Sequence, residues 1–284
     1  MATTVVTAPR LPALSGPAGR ATFGGAIRSE FTKLRSLRST YWTLGVLVLL
    51  SVGIGALFSF GQLQHVQQFQ GTGQYSQVAE DARHHAVVAS LFGLLIGQLV
   101  ISVLGALTIT SEFSTQMIRT SLATMPKRTW FFASKALVFT VVALIVGEVC
   151  SFASFAVGQA ILSSQHLNAT LSQPGVLRAV IGGGLFLALC GLLSYGIGAM
   201  LRHTAGAITT AIGILFVAFV LSGFLPSNWA QHIDKWIPFN AGGAIWEQVS
   251  GTNMFSPWTG FAVFCAYAAA ALVGGLILFC KRDA

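Results

Sequence analysis

Charge is what this sequence has least of. Asp, Glu, Lys and Arg make up 8% of its 284 residues, against about a quarter in an ordinary soluble domain. With a mean hydropathy of +0.73, the chain cannot cover a water-facing surface, and the class is a polytopic membrane protein. The four cysteines, Cys150, Cys190, Cys265 and Cys280, fall in or at the end of apolar runs with no metal or redox spacing; they read as small buried hydrophobes. The first residues lack the apolar core of a cleavable signal, so 1–25 reads as a flexible tail. No G-x-x-x-x-G-K-[ST] occurs, so no such loop is available to cradle nucleotide phosphates. No internal repeat marks a carrier built from inverted halves.

What is abundant is long apolar sequence. A spanning helix needs about 20 apolar residues, and six runs qualify: 41–60, 86–109, 136–158, 179–201, 204–225 and 261–280. The fold class is therefore all-α with six transmembrane helices. With the N-terminus inside, thirteen Lys and Arg fall on inner segments and three (Arg83, Arg178, Lys235) on outer ones. That asymmetry places both termini in the cytoplasm and accounts for the net charge of +8 without nucleic acid. Trp42 and Trp130 then lie at the inner boundary, and Trp229, Trp236, Trp246 and Trp258 at the outer one, where indole prefers to sit.

Two segments are amphipathic. Over 26–40, Ile27, Phe31, Leu34, Leu37 and Tyr41 share a helical stripe while Arg28, Lys33 and Arg35 lie off it and Arg38 snorkels. This describes an interfacial helix on the inner leaflet. Over 111–125, Phe113, Met117, Ile118, Leu122 and Met125 take one half of the wheel, and Glu112, Gln116 and Arg119 cluster on the other. Pro126 stops that helix; Lys127, Arg128 and Lys135 follow as interface anchors. The outer loop 226–260 is expected to carry a short interfacial or partly re-entrant helix capped by Asn240.

Inside the spans, Glu148 lies about 18 Å from the start of the third, at about 1.5 Å per residue. Gln98 sits at similar depth in the second, and a Gln98–Glu148 hydrogen bond between neighbouring helices is the first reading, a substrate-contact or gating role the alternative. Glycines in spans two, four and six read as close-packing positions. Five histidines (His65, His84, His85, His166, His232) fall outside with irregular spacing, so no metal site is assigned.

Glu112, Phe113, Ile118, Arg119, Leu122, Pro126, Lys127, Arg128 and Lys135, with "SEFTKLRSLRSTYW" (29–42) and "IPFNAGGAI" (237–245), resemble the permease subunit of an ABC type-2 exporter from bacteria. Gln116-Met117 departs from the Gly-Thr the family often has there. The resemblance implies a transmembrane domain over 26–284. It also implies a cytoplasmic coupling helix over 111–125 that docks on a separate ATPase subunit; Glu112, Phe113, Gln116 and Arg119 are the candidate coupling residues, with Glu112, Gln116 and Arg119 expected to face that subunit or a bracing helix. ATP and Mg2+ would be bound by that partner and no cofactor by this chain. A second permease subunit, identical or similar, would complete a dimer in the bacterial plasma membrane, exporting a hydrophobic or amphipathic compound. The competing readings are a non-transporting membrane anchor for an ATPase or sensor complex and, behind it, a secondary carrier.

Overall fold

A computed structural model describes residues 22–36, 38–115, 117, 127–247 and 254–281. Among them the chain forms helices and turns and no strand. Lipid offers no partner for backbone polar groups, and a helix satisfies them internally. Six helices are long and apolar enough to cross a membrane: Arg38–Gln68, Tyr75–Ser114, Arg128–Gln165, Val176–Leu201, Thr204–Ser222 and Pro257–Lys281. Each contains or nearly coincides with an apolar run read from the sequence.

The elements are α1 (Phe23–Ser36), α2 (Arg38–Gln68), α3 (Tyr75–Leu91), α4 (Leu94–Ser114), α5 (Arg128–Leu162), α6 (Val176–Leu201), α7 (Thr204–Ile212), α8 (Ala218–Ser222), α9 (Ser227–Ile233), α10 (Pro238–Gly243) and α11 (Pro257–Lys281). A π-helical turn, Gly213–Val217, joins α7 to α8. The 35-residue α5 is about 52 Å long at about 1.5 Å per residue, well beyond a hydrocarbon core of about 30 Å. Its ends project past the spanning zone, which is why polar residues near them can meet other elements.

The core is organised by α6, which packs against α4, α5 and α11. Glycines allow this on three sides. A Cβ at Gly105 of α4 would collide with the carbonyl oxygen of Gly191, one at Gly147 of α5 would stand 2.6 Å from that of Gly184, and one at Gly275 of α11 would stand 2.8 Å from that of Gly196. Apolar side chains gain little from leaving lipid for protein, so backbone-to-backbone approach through small residues is what holds such a bundle.

This arrangement corrects one expectation. Gln98 and Glu148 do not bond: Gln98 Nε2 and Glu148 Oε2 each lack a partner. Helix α6 stands between them; Gln98 Oε1 meets Cys190 Sγ at 3.9 Å, and the Glu148 carboxyl lies against Gly184. The side-chain tie between spans is made instead by Gln159, near the far end of α5. Its Nε2 donates to Ala86 O at 3.1 Å and Ser90 Oγ at 2.9 Å, and its Oε1 accepts from Ala169 N at 2.6 Å.

The connection from α6 to α7 is a tight turn of two residues, Arg202 and His203. Arg202 takes a left-handed conformation with φ of 56°, and His203 Nδ1 caps α7 by accepting from Gly206 N at 3.2 Å. The expected cap at Asn240 is not used. Proline suits the first position of a helix because its φ is already set and no donor is lost, so α10 begins at Pro238 with Ile237 as its cap. Asn240 lies within the helix and donates to Asp234 O at 3.0 Å. The segment beyond it dips into the bundle. Ala241 to Trp246 are buried, and a Cβ on Gly242 would meet Phe186 and Phe264, each at 2.7 Å. Trp246 is thus a core residue packed edge-on to Phe186 at 4.6 Å, whereas Trp42, Trp229, Trp236 and Trp258 are exposed.

Candidate functional site

At the end of the bundle that carries α1, four charged side chains from three elements form one cluster. Lys135, in the second turn of α5, places Nζ 2.5 Å from Glu30 Oε2 and 3.0 Å from Glu112 Oε1. Lys33 places its Nζ 3.0 Å from Glu30 Oε1 and 3.1 Å from Glu112 Oε1. Glu30 and Lys33 belong to α1 and Glu112 to the last turn of α4. Two carboxylates and two ammonium groups alternate, so the quartet is neutral overall.

Burial gives the cluster its mechanical meaning. The side chains of Glu30, Glu112 and Lys135 are 4%, 6% and 6% exposed, whereas that of Lys33 is 37% exposed. A buried ion pair adds little net stability over apolar packing, but removing one partner leaves an uncompensated charge and is costly. The quartet therefore acts as a constraint: none of the three elements can leave without stranding a charge. Burial draws the Lys33 ammonium's pKa down, but the hydrogen bond and charge of Glu30 and the charge of Glu112 outweigh it, leaving the pKa above the usual lysine range.

Beneath the quartet lies an aromatic layer. Phe131 stacks on Phe279 at 6.0 Å, Phe132 meets Tyr195 at 5.1 Å and Phe113 meets Phe279 at 6.1 Å. Tyr195 Oη donates to Phe132 O at 3.1 Å, and the Arg202 guanidinium lies 5.1 Å over the Phe113 ring. Arg128 Nη1 donates to Cys280 O at 3.3 Å. Helices α4, α5, α6 and α11 are tied into one block here.

The structure sorts the sequence-derived residues as follows. Glu112 and Phe113 are not the start of a separate helix, because α4 continues to Ser114. Glu112 faces inward to two lysines rather than outward. Gln116, Arg119 and the remainder of the expected 111–125 helix, apart from the end of α4, Thr115 and Met117, lie outside the described residues. Arg28, Arg35, Arg38 and Lys127 are exposed, with Lys127 Nζ 4.3 Å over the Trp130 ring. Lys135 is buried in the quartet and is no surface anchor. Gln98 and Glu148 lie apart from the cluster. Among the described residues, no three His, Cys, Asp or Glu gather as metal ligands would.

Sequence reasoning missed Glu30. On the helical wheel of 26–40, at about 100° per residue, it falls between Leu37 and Tyr41, within the apolar stripe. The usable signal was that placement together with the spacing Glu30–Lys33, one turn apart. The docked face is one edge of the stripe: Ala26 and Glu30 are buried, Phe31 at the other edge is 51% exposed, and the polar side with Arg28, Thr32 and Arg35 is exposed.

These features agree with comparison against known proteins. The model of the ABC-2 family of transporter proteins matches residues 26–222, from α1 through α8. The chain belongs to the ABC-2 family. Comparison with the curated proteins found no match. Six apolar spanning helices and this family make it a multi-pass membrane component of an ABC transporter, a permease subunit. The quartet lies within the matched region, and α11 lies beyond it.

Proposed function

We propose that this permease forms the translocation pathway of an exporter driven by a separate ATPase that binds ATP and Mg2+. It works paired with a second permease subunit, identical or similar, in a bacterial plasma membrane with both termini cytoplasmic. Its cargo is a hydrophobic or amphipathic compound. Segment 116–126, with Gln116 and Arg119, faces the ATPase, and α1 rests on the inner leaflet.

The observation that supports this reading is the quartet. Glu112 and Lys135 bracket segment 116–126 in the chain and are locked to each other and to α1. A displacement applied to that segment is delivered to α1, α4 and α5 together, because slippage between them would strand a buried charge. Rigid transmission of this kind is what a chain without its own nucleotide-binding loop requires.

The test is reconstitution with an ABC ATPase, sought first in the neighbouring gene. Arg119→Glu is expected to leave membrane insertion and basal ATP hydrolysis intact and to abolish transport of a hydrophobic dye. Unchanged transport, transport by this subunit with no companion protein, or labelling that puts 116–126 on the opposite side of the membrane from α1 would each overturn the reading.

A further inference from the structure

A cavity of about 300 Å³ lies between α1, α2 and α4, directly beside the quartet. Its polar lining comes from the four quartet residues Glu30, Lys33, Glu112 and Lys135 and from Ser39, Thr40, Thr43, Thr108 and Ser111; Leu34, Leu104 and Leu107 supply the apolar part. Thr43 donates to Ser39 O at 2.9 Å and Thr108 to Leu104 O at 2.7 Å. The hydroxyls of Ser39, Thr40 and Ser111 make no hydrogen bond among the described residues. Thr40 is a buried residue, and Ser39 and Ser111 are exposed at the mouth. Three hydroxyls free to donate therefore line one space, beside a lysine whose side chain is 37% exposed.

The charge around the cavity decides what could fill it. The quartet is neutral, but Arg28, Arg35 and Arg38 are exposed on the same two helices, and Arg38 directly precedes Ser39. The local field is positive, and the open donors ask for an acceptor-rich, anionic group. A phosphodiester meets both demands, since its oxygens accept from hydroxyls and ammonium groups. Size and surroundings identify the source. A cavity at the lower end of the ligand-pocket range of about 300–1,000 Å³ takes a head group and leaves the remainder outside. Leu107 at its edge is 36% exposed, and Phe31, Tyr41 and Trp42 on the flanking helices are 51%, 57% and 77% exposed, an apolar and aromatic border of the kind found at a membrane surface.

We propose that this cavity is a binding site for the phosphodiester head of a glycerophospholipid, held by Ser39, Thr40, Ser111 and Lys33 with its acyl chains against Leu104 and Leu107. The site requires only that the chain lie in a bilayer. It is independent of which compound is transported, or whether any is. Bound lipid would fill the space between α1 and the α2–α4 pair and so brace the Glu30–Leu34 side of α1 against the bundle.

The test uses the full-length chain, stripped of lipid in a neutral detergent, and native mass spectrometry. Dioctanoyl phosphatidylglycerol is titrated against dioctanoylglycerol, which lacks the phosphate, and glycerol phosphate, which lacks the chains. The phospholipid is expected to bind one-to-one and at least about tenfold tighter than either, the first difference coming from losing a hydrogen bond to a charged group and the second from losing the apolar contact of the chains. Thr40→Val and Ser111→Ala should each weaken phospholipid binding several-fold without changing dioctanoylglycerol binding. Equal affinity for dioctanoylglycerol, or unchanged binding in both variants, overturns the site. Glycerol phosphate binding as tightly as the phospholipid overturns the membrane source. Should Thr40→Val fail to fold, Ser111→Ala and the wild-type comparison decide.

Discussion

Lys135 Nζ stands 2.5 Å from Glu30 Oε2 across 105 residues of sequence, with both side chains almost fully enclosed. Its other partner, Glu112 Oε1, lies 3.0 Å away. Replacing Lys135 by Met removes the buried ammonium group that Glu30 and Glu112 share. The expected cost is about 3–5 kcal/mol. Lys33→Met removes a charge that solvent partly replaces and should cost less than about 1 kcal/mol. Thermal unfolding in detergent, followed by tryptophan fluorescence, separates the two. Equal losses would show that the cluster is not a closed unit.

The alkaline limb of stability follows from Lys33. Its folded pKa is raised, so its contribution is fully present below the unfolded lysine value of about 10.4 and is lost as pH climbs through the higher folded value. Docking of α1 should therefore be flat from neutral pH to about 9 and weaken only above about 10.4. Trp130 reports on it, since its ring is edge-on to Phe23 of α1 at 6.0 Å. Lys33→Arg should move that loss to higher pH, because guanidinium holds its proton above about 12. A transition near neutral pH in the wild type would refute the assignment.

Much of the bundle was readable before any coordinates. The six spans came from hydropathy alone, because a helix in lipid needs little beyond length and apolarity. The role of the glycines in spans two, four and six was also legible, since close approach leaves a compositional trace. Which helices are neighbours was not. Adjacency in sequence suggested that Gln98 on α4 and Glu148 on α5 should meet, whereas α6 comes between them through Gly105–Gly191 on one side and Gly147–Gly184 on the other. The candidate site was half visible. Glu112, Lys33 and Lys135 were singled out by charge, but their convergence depends on how α1 lies across the start of α5. Nothing in local periodicity encodes that crossing, so the choice for Glu112 between the ATPase and a bracing helix stayed open until its ion pairs with Lys33 of α1 and Lys135 of α5 were seen.

The same geometry sets the behaviour of Gln98 and Glu148. With no shared hydrogen bond, Gln98→Ala and Glu148→Gln should be additive, with a coupling energy below about 0.5 kcal/mol in a double-mutant cycle. Gln159→Leu should be far worse, because it takes the acceptor from the buried Ala169 N and a donor from Ser90 Oγ, while Ala86 O keeps its bond from Ser90 Oγ. The expected loss is about 1–3 kcal/mol for the buried donor left unsatisfied. Coupling of more than about 1 kcal/mol between Gln98 and Glu148 would show that α6 does not separate them.

Glycine substitutions test the packing scheme most sharply, because the structure distinguishes positions that look alike in sequence. A Cβ at Gly196 would stand 2.5 Å from the backbone carbon of Ala271 and 2.6 Å from its oxygen, and backbone cannot rotate out of the way. Nothing lies within 4 Å of the Cβ position at Gly53 of α2. Gly196→Ala should therefore force α6 and α11 apart and cost about 1–3 kcal/mol. Gly53→Ala should instead stabilise its helix by about 0.5–1 kcal/mol through the higher helix propensity of alanine. Gly274→Ala is the internal control on α11, since its Cβ would meet only the flexible Met200 Sδ at 3.2 Å. Its effect should fall between the other two. Unfolding midpoints for the three variants, compared at equal detergent, give the order directly, and a Gly196→Ala protein as stable as Gly53→Ala would mean that α6 and α11 do not cross where the structure places them.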